Sequence, residues 1–208
     1  MKKSRRFFLA GAAVLLLSGC GKLKDVDTTS VYVDRDGTVT EAIVDSYNED
    51  DDYTEKELKA YVDEDIASFN GENRENAVKL LDLKVGGDNV TIRLEYADAA
   101  SYADYHRTEF FSGSLEEAKE AGYDFSASFL KPDGTETTLD GAVEGVKNPR
   151  VIIFQERIQI VTDQPILCVS SNVQITGNTT AQAAGDENTA EGMEEQFLES
   201  LAYVVYGK

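Results

Sequence analysis

Leu81-Asp82-Leu83-Lys84-Val85-Gly86-Gly87-Asp88-Asn89-Val90-Thr91-Ile92-Arg93-Leu94-Glu95-Tyr96 decides the fold class. Leu81, Leu83 and Val85 alternate with Asp82 and Lys84. Val90, Ile92, Leu94 and Tyr96 alternate with Thr91, Arg93 and Glu95. Successive side chains of a strand point to opposite faces, so period two on both arms describes two strands, each with one buried and one wet face. Gly86 to Asn89 turns the chain between them, and the unit is an antiparallel hairpin.

Upstream, the same pattern recurs. Val31-Tyr32-Val33 and Thr38 to Val44 are β-branched and aromatic, and Asp34-Arg35-Asp36-Gly37 between them predicts a second hairpin whose glycine supplies positive φ. Asp45 to Asp52 reads as an acidic loop. Thr54-Glu55-Lys56-Glu57 is a capping box, in which the Thr hydroxyl and the Glu carboxylate satisfy free backbone donors. Leu58, Tyr61, Val62, Ile66 and Phe69 follow as one apolar stripe, and Asn70-Gly71 is expected to end this amphipathic helix. Tyr47, Tyr53 and Tyr61 surround its start, where packing accounts for them.

Downstream, Ala99 to His106 predicts a short helix, and Ser114-Leu115-Glu116-Glu117 is another capping box whose helix Gly122 closes. Strands are expected at Phe125 to Lys131 and Thr135 to Leu139, flanking the turn Pro132-Asp133-Gly134. Val151 to Phe154, Ile158 to Val161, Ile166 to Ser170, Val173 to Thr176 and Leu201 to Tyr206 are further strands. Residues 177–192 have almost no large apolar side chain and read as a mobile loop. The expected architecture is one α+β domain over 30–208. It is built from hairpins into a largely antiparallel sheet, with one principal amphipathic helix and one or two short ones.

The first residues carry an address. Lys2, Lys3, Arg5 and Arg6 precede an eleven-residue apolar run, Phe7 to Leu17, with no acidic residue among them. That run suits a secretory signal but falls short of the roughly 18 residues that span a bilayer. It ends in Leu17-Ser18-Gly19-Cys20, which resembles the lipobox of bacterial lipoprotein precursors. The resemblance covers about the first 21 residues and implies cleavage between Gly19 and Cys20, with a diacylglyceryl thioether on the Cys20 sulfur. Two acyl chains, at about 0.8 kcal/mol per buried methylene, anchor durably where one is marginal. Residues 1–19 are then a lipoprotein signal peptide and 20–29 a lipidated N-terminus and tether. Ser4-Arg5-Arg6-Phe7-Phe8-Leu9 resembles the twin-arginine export motif as well, or is simply a basic signal start, and the export route stays open.

Residues 1–19 hold four of the 20 Lys and Arg side chains and none of the 39 acids, so the rest has 16 cations against 39 carboxylates, a formal charge of −23. Such a surface repels nucleic acid and keeps the domain solvated. If Cys20 is lipidated, Cys168 has no disulfide partner, and Ile166-Leu167-Cys168-Val169 reads as a buried strand.

The sequence assembles no reactive constellation. His106 is the one histidine, which leaves a histidine-based zinc or copper site without ligands. Asp34-Arg35-Asp36-Gly37 and Asp45 to Asp52 hold oxygen ligands but lack the EF-hand spacing. Ser112 and Ser114 lie near His106 without a nucleophile elbow, and Ser114 is better explained as a helix cap. No phosphate-cradling Gly loop or CxxC pair is present.

The expectation is therefore no catalytic, cofactor or metal residue, and no cofactor. The protein reads as a cell-envelope lipoprotein on the extracytoplasmic face of the membrane. It is held through lipid on Cys20 and acts as a non-catalytic binding or structural module with an envelope protein or cell-wall partner. Beyond residue 30 it resembles hairpin-rich envelope lipoproteins of unassigned function. The alternatives are an extracytoplasmic hydrolase using paired carboxylates and a calcium-responsive surface adhesin or sensor.

Overall fold

The computed structural model describes residues 22–48, 53–184 and 197–208. The expected signal peptide with its twin-arginine-like stretch, the Gly19–Cys20 junction, Gly21 and residues 49–52 and 185–196 lie outside them. Along the chain run β1 (Ser30–Val33), β2 (Val39–Ser46), α1 (Glu55–Glu72), β3 (Val78–Gly86), β4 (Asn89–Tyr96), α2 (Ala99–His106) and β5 (Phe110–Ser114). There follow α3 (Leu115–Glu120), β6 (Phe129–Leu130), β7 (Glu136–Thr137), α4 (Leu139–Ala142) and β8 (Arg150–Glu156). β9 (Gln159–Val161), β10 (Ile166–Ser170), β11 (Val173–Gly177), β12 (Thr180–Ala183) and β13 (Phe197–Tyr206) complete it.

The class is α+β and largely antiparallel, with the strands divided between two sheets. A seven-stranded sheet has the order β11-β12-β9-β1-β2-β4-β3, and a six-stranded sheet the order β5-β8-β13-β10-β6-β7. Every described pairing is antiparallel except β1 with β9, where Ser30 lies opposite Gln159. The inner faces of the two sheets share one core. Val31, Val39, Leu94 and Ile160 of the first meet Ile152, Phe154, Val204 and Val169 of the second. At about 1.5–3 kcal/mol for each large apolar side chain removed from water, this layer is the main stabilising element.

The outer faces are covered differently. Leu115 and Ala118 of α3 and Leu139 of α4 pack on Val151, Ile153, Cys168 and Val205 of the six-stranded sheet. On the seven-stranded sheet the cover is the chain before β1. Residues 22–29, expected as a tether, are docked: Leu23 is buried with Tyr32 and Ala42. The Thr29 hydroxyl accepts from the Val44 amide at 3.1 Å, and Thr29 O accepts from Gln159 N at 3.0 Å.

Both hairpins and both capping boxes form at the predicted places, with Thr54 and Ser114 as N-caps. Five local details differ. A β-bulge between Leu80 and Asp82 puts Leu80 and Leu83 against the core and leaves Leu81 exposed. α1 continues past Asn70-Gly71 because the Asn70 side chain both accepts from Val78 N (2.9 Å) and donates to Val78 O (2.8 Å), tying the helix to β3.

Tyr61 is 62 % exposed and stacks on Tyr53, with ring centroids 6.4 Å apart. At 100° per residue it sits roughly 140° around the helix from Ile66, off the buried stripe. Around Pro132-Asp133-Gly134 the ladder shrinks to the two-residue strands β6 and β7, and Leu139 opens α4 instead. The segment expected to be a loop over 177–192 contains β12, where Ala181 and Ala183 are buried between exposed-side Thr180 and Gln182. No helix of the described residues is long and apolar enough to cross a membrane.

Candidate functional site

Alternation along β2 puts Val39, Glu41 and Ile43 on one side, and that side is the core. Glu41 is therefore buried, opposite Val31 on β1 and Leu94 on β4. Tyr96, two residues beyond Leu94 on the same face, reaches it diagonally: its hydroxyl donates to Glu41 Oε2 at 2.6 Å. α2 brings the next members. Asp98 caps it by accepting from Ser101 N at 2.8 Å, and Arg107, in the left-handed region at φ 54°, ends it. Tyr102 and His106, four residues apart, share the inward face with ring centroids 4.4 Å apart.

From the other sheet comes Glu156, at the end of β8. The Tyr102 hydroxyl donates to Glu156 Oε2 at 2.8 Å. His106 Nε2 lies 3.0 Å from Glu41 Oε2 and 2.8 Å from the Tyr96 oxygen, while its Nδ1 faces Glu156 Oε1 at 3.8 Å. Tyr96 has one hydroxyl proton and gives it to Glu41, so Nε2 carries a proton and donates. The five side chains thus bolt the two sheets together through α2.

The electrostatics follow from burial and from one another. Burial pulls the His106 imidazole down. The hydrogen bond and charge of Glu41, with the charge of Glu156, outweigh it and hold the ring above its ordinary range. Burial pushes the Glu156 carboxyl up, and the charge of Glu41 adds to this against His106 and Tyr102. Burial above all holds both Tyr96 and Tyr102 well above the usual phenol range, so they act as neutral donors. An imidazolium at a helix C-terminus is also favoured by the helix dipole.

Chemically the group is closed. Tyr96 and Tyr102 are fully buried, Glu41 and Glu156 nearly so, and only a 15 % exposed edge of the imidazole meets solvent. The depressions flanking the end of α2 hold about 500 Å³ beside Asp104, Thr108 and Gln155, and about 430 Å³ beside Phe69, Asn73 and Tyr105. Neither is lined by Glu41, His106 or Glu156. The two carboxylates address opposite nitrogens of one ring, so the three groups do not converge on a cation. No metal-holding group of three or more His, Cys, Asp or Glu occurs among the described residues.

The residues singled out in the sequence fall elsewhere. Ser114 caps α3, as expected. Cys168 is buried in β10, and burial pushes its thiol up to about 12. In the Asp34–Gly37 turn, Asp36 accepts from Thr38 N at 3.0 Å and Arg35 pairs with Asp163 at 2.6 Å. Among the described residues His106 bonds Tyr96 and Glu41 and no serine. The readable signal for the network was a carboxylate at an inward position of β2, together with Tyr102 and His106 at helical spacing.

No protein-family model, no curated protein and no solved structure matches the chain.

Proposed function

We propose that this is a lipid-anchored envelope protein, held on the extracytoplasmic face of the membrane through Cys20 and acting there as a non-catalytic binding or structural module. The carrying observation is the ordered series of four cations, an eleven-residue apolar run and Leu17-Ser18-Gly19-Cys20. The closed geometry of the titratable network supports a non-catalytic role. Its polar groups satisfy one another and link the sheets. Glu41 and Glu156 form the paired carboxylates a hydrolase would need, with Glu156 shifted up, but the His106 ring stands between them where a substrate would lie.

Detergent phase separation of host membranes tests the anchor. The wild-type chain partitions into the detergent phase, and Cys20→Ala, exported behind a signal peptide whose cleavage needs no lipid, into the aqueous phase. Equal partitioning of the two would contradict it.

A further inference from the structure

We infer that the outer face of the seven-stranded sheet is the surface turned toward anionic lipid headgroups, and that the docked 22–29 segment sets this orientation. The inference rests on Cys20 carrying the lipid.

The first observation is that the domain begins almost at the anchor. Lys22 is already fixed: buried Arg93, which grips Asp82 through Nε and Nη2, also donates from Nη1 to Lys22 O at 2.7 Å. The Lys22 ammonium sits 3.4 Å from the centroid of the Tyr32 ring and 3.6 Å from Asp34. Leu23 holds φ at 59°, a conformation costing a residue with a side chain on the order of 1 kcal/mol or more. It persists because the Leu23 side chain is buried on Tyr32 and Ala42. Two residue steps separate Cys20 from Lys22, a reach of at most ~7 Å. The lipid therefore emerges from the outer face of this sheet.

The second observation is independent of the anchor. Strand pairing places Lys79 opposite Glu95, Asp82 opposite Arg93 and Lys84 opposite Thr91, all on the outer face. Outward positions on the other strands of the sheet are uncharged, as at Thr40, Ala42, Gln159 and Gln182. With Lys22, Lys24, Asp25 and Asp27 of the docked segment, and Asp34 beside Lys22, the face has five cations and five carboxylates. The rest of the chain after residue 19 keeps 11 cations against 34 carboxylates. A domain this acidic is repelled by anionic headgroups wherever its acids come within the Debye length, about 8 Å at physiological ionic strength. A ~7 Å leash holds it inside that range. This charge-balanced face is the face that the leash turns down.

The test uses the acylated full chain in phosphatidylcholine–phosphatidylglycerol vesicles that contain headgroup-nitroxide lipid. A fluorophore is placed at Lys84→Cys on the outer face of the seven-stranded sheet, or at Lys119→Cys on α3 beyond the other sheet. Two layer spacings of about 10 Å put the α3 site roughly 20 Å farther from the lipid. Quenching several-fold stronger at position 84 than at 119 is the expected result. Equal or reversed quenching on a chain whose mass includes the acyl groups overturns the orientation while leaving the anchor intact. A mass without acyl groups overturns both.

Discussion

His106 is the residue on which the interior depends, because its cation sits between two carboxylates of two different sheets. Removing one partner of a buried ion pair leaves an uncompensated charge, so His106→Ala is expected to cost about 3 kcal/mol in urea unfolding. The pH dependence has a definite sign. The imidazole is raised in the folded chain above its ordinary 6.5, so its contribution is complete below that value and is lost as pH rises through the folded pKa. Glu156, raised above 4.5, acts in the same direction. The melting temperature should therefore fall as pH rises above about 6.5, and His106→Gln should flatten that fall; an equal slope in both proteins would refute the assignment. The local signals for this network are present in the sequence, but their convergence is not. Glu41 and His106 are 65 residues apart, and a lone histidine among tyrosines gives no sign that two sheets will close on it.

At the scale of elements, the local features were legible and the long-range ones were not. The 81–96 hairpin and the Thr54 and Ser114 caps are encoded within a few residues, by period two and by capping chemistry. The parallel β1–β9 pairing joins residues more than 100 apart, and the six-stranded sheet joins β5 to β8 and β8 to β13 across about 40 residues or more, for which alternation gives no partner. β12 was missed because alternating Ala with Thr and Gln looks like a polar loop until two sheets press on it. The docked 22–29 segment was missed for a similar reason: Arg93 looked like one wet position of a strand, and its grip on Lys22 O spans 71 residues. Arg93→Met should free that segment. Faster amide exchange over 22–29, with β8 and β13 unchanged, is the expected outcome, along with a loss of about 1–3 kcal/mol for the missing charge-assisted bonds.

For the whole molecule, the two sheets have unlike outer faces. α3 and α4 pack on the outer face of the six-stranded sheet, and residues 22–29 cover part of the outer face of the seven-stranded sheet, around Tyr32 and Ala42. On the proposed anchoring through Cys20, that asymmetry would give the domain a fixed underside and present its acidic remainder to the surroundings. All of it depends on the chemistry of one sulfur atom. The intact mass of the protein extracted from its native membrane is therefore the decisive measurement. A chain that starts at residue 20 and carries a diacylglyceryl group agrees with this account; one that keeps residues 1–19, or bears a free thiol at Cys20, contradicts it.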